Sequence, residues 1–513
     1  MCHYAIGWLP RVTEQCKASR QKSARRLSRR RVRVSIPMVN NATKILFIVT
    51  GGALLIVCLL LLRPDYLASS SGLTLLIGAE ILLAAACNFR KAFLPLALLC
   101  FLGAGSELPF QSELLQARWI VLAVGAVLGV AVFMKNHLQT FKLLHLVAFF
   151  CVLSAFVSAL VSVYPRESLL KAISLLLLFL YVSAGARTAL NRDPAGFFRK
   201  LVRWAEGLLI ITVICYFVVR WEVFGNPNSL GAIMAVVILP LLLWGYLSAK
   251  TPAERLRLGA DLLIALLLLF SSFARASIAA AFVSCSLICW SAREFRLLFK
   301  GIALSALLAI LAVVLVPRHT DVPSWDGSQP IVDLFMYKGK HDRDVFGSRR
   351  GVWQKTWDVI REKPWFGSGF GTSEIDEDMT KLEYARHHFD SWVIREHGNS
   401  YLAIVEWTGL LGVLPFFSLV ALVLGNAART LRFVRRTCDV SSPAVPAVAV
   451  VLAGLVNATF EDWLFAVGYY VCVFFWCMAF MLADVMPNRF TEYSAVQIIP
   501  DAGHEYGAMA AVR

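Results

Sequence analysis

Apolar runs set the pattern of this chain. Fourteen of them, near residues 45–62, 73–88, 92–107, 117–134, 141–163, 167–185, 203–220, 228–247, 257–274, 276–292, 299–317, 401–425, 443–459 and 464–484, alternate with polar connections. A bilayer core ~30 Å thick takes roughly 17–25 helical residues, so each run predicts a membrane-crossing helix. Several runs are short, and the expected count is twelve to fourteen. One long hydrophilic stretch, 318–400, interrupts the series. The predicted architecture is all-α and polytopic. An arm over 1–44 leads into eleven helices over 45–317, followed by the loop 318–400, three helices over 401–484 and a tail over 485–513.

The loop has a pattern of its own. Residues 318–348 are polar and irregular, with Pro323, Gly327, Pro330 and Gly347. Beyond them, Val352, Trp353, Trp357 and Ile360 fall at helical spacing. That spacing predicts an amphipathic helix over 349–363 that lies on the membrane surface or lids a cavity. Pro364 stops it, and Gly367-Ser368-Gly369-Phe370-Gly371 predicts a tight turn. The turn has neither the strand before it nor the Lys-Ser/Thr after it that a phosphate-binding loop needs. It reads instead as backbone crossing close to another element.

Composition agrees with a membrane class: 58% of the 513 residues are hydrophobic, 16% are charged, and the mean hydropathy is +0.66. The formal charge of +16 gives the helices a direction. With the N-terminus inside, the inner connections and the two tails hold 32 of the 50 Lys and Arg, as cytoplasmic segments do. The short outer connections hold Arg63, Arg118, Arg166, Lys171, Arg220 and Arg275 alone, and acidic residues balance the basic ones in 318–400. The expectation is a multi-pass protein of a bacterial inner membrane, with both termini cytoplasmic and 318–400 periplasmic. Arg25, Arg26, Arg29, Arg30, Arg31 and Arg33 then read as a topology anchor or a patch for anionic lipid, and no nucleic-acid partner is needed. Translation from Met38 would omit this arm, and no cleavable signal peptide is expected from either start. The 318–400 loop has no cysteine, which rules out an external disulfide framework. Cys285 and Cys289 share a helix face and read as small apolar filler.

Polar residues next to the membrane collect on the outer face: 164–168, 224–228, 271–277, the loop, and 460–463. Arg275 lies between two apolar runs, with no other charge between Asp261 and Arg293. It either meets an anion or snorkels to headgroups. Glu80, inside a predicted helix, is as well explained by packing within the bundle. His397 stands four residues before a predicted helix, where it is placed to act as a base near neutral pH or to neighbour a helix cap. Asn399 and Ser400 suit that cap. His387 and His388 are adjacent and would diverge on a helix, which argues against a metal site.

Four segments in order resemble the O-antigen ligase and O-antigen polymerase superfamily of membrane glycosyltransferases. They are Phe224-Gly-Asn-Pro-Asn-Ser-Leu-Gly231, Arg275 between two helices, Ser348-Arg-Arg-Gly-Val-Trp353 running to Gly367-Ser-Gly-Phe-Gly371, and His397-Gly-Asn-Ser-Tyr-Leu402 with Glu406-Trp-Thr-Gly-Leu-Leu-Gly412. The resemblance implies a type C-like membrane glycosyltransferase that takes a glycan from an undecaprenyl-diphosphate-linked donor. The acceptor sugar is on the lipid A core or on another carrier-linked glycan, and no metal or other cofactor takes part. It implies Arg275 with Arg349 or Arg350 as diphosphate ligands, His397 as base, and Asn226, Asn228 and Asn399 in support. In the family His commonly precedes Asn directly, whereas here Gly398 intervenes, and His387 and His388 are the alternatives to His397.

A lipid-linked oligosaccharide flippase or other polysaccharide transporter is the competing reading. It would place charge near the bilayer midplane, in broken helices or paired repeats. In this sequence the charges sit at the ends of the apolar runs and no internal repeat is found.

Overall fold

The computed structural model describes residues 93–107, 111–135, 142–190, 193–315, 347–373 and 396–487. The expected arm, the expected helices near 45–62 and 73–88 with Glu80, residues 318–346, His387 and His388, and the end of the tail lie outside the described residues. Within them the fold is all-helical, and no strand occurs. In chain order the helices are α1 (Leu94–Ala104), α2 (Gln111–Lys135), α3 (Leu143–Leu160), α4 (Pro165–Leu190), α5 (Pro194–Val219), α6 (Pro227–Ser248), α7 (Pro252–Ser271), α8 (Arg275–Ser291), α9 (Phe295–Leu315), α10 (Gly347–Glu362), α11 (Ser400–Thr437), α12 (Ala444–Asn457) and α13 (Tyr470–Val485). Each of the twelve apolar runs expected between 92 and 484 has a helix, and α10 is the expected amphipathic one. Six of these helices, α2 to α6 and α11, are long and apolar enough to cross a bilayer. The chain is a polytopic membrane protein.

Local chemistry explains where the helices begin. Pro165, Pro194, Pro227 and Pro252 occupy the first turns of α4 to α7, where the missing N–H is no loss and φ is already helical. Asp193, Asn226 and Thr251 cap three of those helices by accepting the N–H of Gly196, Ser229 and Glu254. Burial then separates inner from outer helices. Every residue of α13 from Tyr470 to Ala483 is buried, whereas α3 turns Leu146, Phe149, Phe150, Leu153 and Leu160 outward. Exposed apolar stripes on such helices are surfaces for lipid. Around α13, α3 lies along α11 and α8 along α12.

Two departures from the expected helices place the site. The run near 464–484 becomes helical only at Tyr470, because residues 458–469 form an irregular, partly buried connection. Side chains hold it in place of helical bonds: Ser400 accepts the Leu464 N–H at 3.0 Å, Trp476 donates to the Leu464 carbonyl at 2.8 Å, and Arg118 donates to the Gly468 carbonyl at 2.7 Å. The second departure is a break in α11 at Gly409, with φ +58°. The glycine turn crosses there. Ser368 and Gly369 donate backbone N–H groups to the carbonyls of Glu406 and Trp407 at 2.9 and 3.1 Å, and Leu410 and Leu411 donate to Pro364 and Trp365 at 2.8 and 3.1 Å. Four of the backbone groups freed by the break are thus satisfied, as membrane burial demands. A Cβ on Gly409 would lie 2.6 Å from the Trp365 backbone carbon, so the crossing needs glycine and matches the expected close approach.

Candidate functional site

Three short segments meet at the end of the bundle where α8 and α11 begin: residues 396–399, the start of α10 and the 458–469 connection. Asn399 caps α11, its side-chain oxygen accepting the Tyr401 and Leu402 N–H groups, and this fixes the residue two positions before it. Ser400 anchors the same corner to the connection, donating to the Glu461 carbonyl at 2.6 Å.

His397 is fully enclosed. Its Nε2 lies 3.1 Å from Glu406 Oε1 and 3.2 Å from the Ser373 hydroxyl, and its Nδ1 lies 3.5 Å from Asp462 Oδ2. Its backbone N–H donates to the same Asp462 oxygen at 2.9 Å, and Trp407 packs edge-on against the ring. Burial alone would push the imidazole pKa down. The hydrogen bonds and charges of Asp462 and Glu406 outweigh burial and hold it above the ordinary histidine value. Burial would likewise raise Asp462, but its bonds to His397 hold it below the usual carboxylate range. Both shifts favour the charged form of the His397–Asp462 pair, which titrates as a unit. Within that pair the histidine ring is closed off, while 27% of the Asp462 side chain remains open.

Arg349, in the first turn of α10, reaches over this corner. Its Nη2 donates to Glu461 Oε1 at 3.1 Å and its Nη1 stands 3.8 Å from Glu396 Oε1. The guanidinium lies against Gly398, which has φ +59°, and a Cβ there would collide with the Arg349 Nη1 and Cδ atoms. The glycine that intervenes between His397 and Asn399 thus makes room for the arginine. Burial pushes the Glu461 carboxyl up to about 7, although Arg349 beside it pulls the other way. Arg275 opens α8 and is half-buried. Its positive charge and that of Arg349 repel one another, so two guanidinium groups share one neighbourhood. Arg350 is exposed.

The expected asparagines fall at different places. Asn226 is exposed and caps α6, accepting the Ser229 N–H at 2.8 Å. Asn228 is half-buried in the first turn of that helix. Gly231, one turn on, packs against Ala274 and Ser277, which seats this segment beside the start of α8. The structure adds Glu406, Asp462, Glu461 and Ser373 to the residues expected. Glu406 carries a sequence signal, a lone acid inside an apolar run, and Glu461-Asp462 is an acidic pair between two such runs. Ser373 has no comparable signal. Among the described residues no group of three or more His, Cys, Asp and Glu side chains is arranged to hold a metal ion.

Residues 260–417 match the family described as O-Antigen ligase. No curated protein matches the chain. The matched stretch carries Arg275, Arg349, His397 and Glu406, while Glu461 and Asp462 come from the connection that follows it.

Proposed function

Since the chain carries an O-antigen ligase domain at residues 260–417, we propose that it transfers a glycan from an undecaprenyl-diphosphate-linked donor to an acceptor sugar at the periplasmic membrane face. The acceptor is the lipid A core for a ligase, or another carrier-linked glycan for a polymerase. The observation that carries this reading is the meeting of Arg275, Arg349 and His397, from three separate elements, at one corner beneath α10.

In the reaction the acceptor hydroxyl oxygen bonds to the anomeric carbon of the donor glycan. The bond from that carbon to the diphosphate breaks, and its electron pair leaves with the lipid diphosphate. Arg275 and Arg349 stabilise that developing charge, since guanidinium groups meet phosphate oxygens in paired hydrogen bonds and donors fixed in advance need no rearrangement. Arg350, on the exposed face of α10, contributes to the approach of the anionic donor. The hydroxyl proton passes to the His397–Asp462 pair. Asp462 is the open member that meets the acceptor, and His397, clamped by Glu406, orients it and holds its charge. Glu461 pairs with Arg349 and gives way to the donor.

Deleting the gene and profiling surface polysaccharide tests this reading. Loss of all long chains from lipid A is expected for a ligase, and products of a single repeat are expected for a polymerase. An unchanged profile would sink both.

A further inference from the structure

A cleft of about 260 Å³ opens at the other end of the helices, between the start of α5, the end of α6 and the start of α7. That is far more than the roughly 10–15 Å³ one water requires. Arg199, Val202, Arg203 and Glu206 form one wall, at the spacing of a single helix face. Lys250, Glu254 and Arg257 form the other. Both carboxylates are already engaged: Glu206 pairs with Arg257 at 3.2 Å, and Glu254 accepts the Lys250 backbone N–H at 3.1 Å. Among the described residues, Arg199, Arg203 and Lys250 form no salt bridge. The cleft therefore presents three exposed cations outside any salt bridge, of which Arg203 also feels the Glu206 charge.

Its floor is apolar. Trp244 and Leu258 line it, and Gly245 leaves the space that a Cβ would close against Val202 at 3.1 Å. On the outer faces of the same helices, Trp204 is 51% exposed and Leu256 is 78% exposed. A tryptophan in that position sits at the level of lipid headgroups. Cations above an apolar floor, at that depth, match a phosphate joined to a glycerolipid better than a fully hydrated anion.

We propose that this cleft binds the phosphate of an anionic phospholipid from the adjoining leaflet. Arg199, Arg203 and Lys250 hold the phosphate, and the glycerol lies over the apolar floor. Basic clefts between membrane helices recognise headgroups in this way. A free phosphate offers the same charge without the apolar portion, so the test must separate the two.

The test uses the full-length protein in nanodiscs of phosphatidylcholine, of phosphatidylcholine with phosphatidylglycerol, and of phosphatidylcholine with inorganic phosphate added. Phosphatidylglycerol is expected to raise the Tm, and inorganic phosphate is not. The triple variant Arg199→Gln, Arg203→Gln, Lys250→Gln should lose that rise. A control, Arg296→Gln, Lys300→Gln, Arg432→Gln, removes equal charge from exposed positions at the same end of the bundle and should keep it. The proposal is overturned if the control loses the rise equally, if the triple variant keeps it, or if inorganic phosphate reproduces it. Native mass spectrometry of the unmodified protein gives an answer independent of the variants. Phosphatidylglycerol should remain bound through detergent exchange, and its absence would also overturn the assignment.

Discussion

Two charge clusters among the described residues are built on opposite plans. In the first, Arg187 at the end of α4 is 2% exposed and gives Asp484 of α13 two hydrogen bonds, at 2.5 and 2.7 Å. Its remaining reach goes to His145 at 2.8 Å and the Ser183 carbonyl at 2.9 Å, and Lys142 closes the cluster onto Asp484 and the Ala483 carbonyl. One carboxylate serves two cations, which ties three elements together, and the arrangement is closed. In the second, His397 lies between two carboxylates, Arg349 divides its guanidinium between Glu461 and Glu396, and Arg275 repels Arg349 from nearby. On the proposed function, the comparison separates a structural cluster from a binding one. A closed cluster ties helices together, whereas like charges kept close and divided among partners hold capacity for an incoming anion.

Substitutions should therefore separate rate from stability. The largest effect is expected at Arg349→Ala: a fall in transfer of about 10²–10³-fold, the usual cost of removing one fixed transition-state donor, with the Tm nearly unchanged. Lysine at the same place should restore only part of it, since it lacks the planar fork. Asp484→Ala should do the reverse. Stranding a buried guanidinium costs about 3–5 kcal/mol, seen as a lower Tm and less extractable protein, while the folded fraction keeps its turnover. If Arg349→Ala unfolds the protein, or Asp484→Ala stops transfer in the folded fraction, the division of roles fails.

A pH series sharpens the contrast. Glu461 is protonated below about 7, which leaves Arg349 without its counter-charge and favours a donor anion. Above that pH the carboxylate competes. Donor KM should accordingly rise as pH climbs through about 7, and Glu461→Gln should flatten that rise. A KM in the parent protein that is level across the range would remove Glu461 as the competing group. The smallest effect is expected at Asn226→Ala, the exposed cap of α6: about 1 kcal/mol of stability and no more than a minor change in transfer. A large loss of transfer at constant Tm would instead make Asn226 a substrate contact.

Much of the helical frame was legible because apolar runs of membrane length leave little choice of structure. Both departures from it are tertiary. Trp463-Leu464-Phe465 is as apolar as a helix, yet its backbone is held by Ser400 and Trp476, neither of which a local pattern reveals. Gly409 sits in an apolar stretch where only the crossing turn explains φ +58°. The site divides in the same way. Asn399 as a cap and His397 beside the helix start could be read locally. The pairing of Arg349 with Glu461, 112 positions away, could not, and with it went the reason for Gly398. The acids that tune the histidine escaped for a related reason: Glu406 and Asp462 become its partners only when α11 and the 458–469 connection meet.

The most direct test of the central claim is the rate of glycan transfer from a lipid-diphosphate donor in proteoliposomes containing Arg275→Gln. Two guanidinium groups acting together on the leaving diphosphate predict a rate lower by about a hundredfold or more, with unchanged insertion and Tm. Transfer within about twofold of the parent rate, far inside the loss expected for a fixed anion-stabilising donor, would contradict the account.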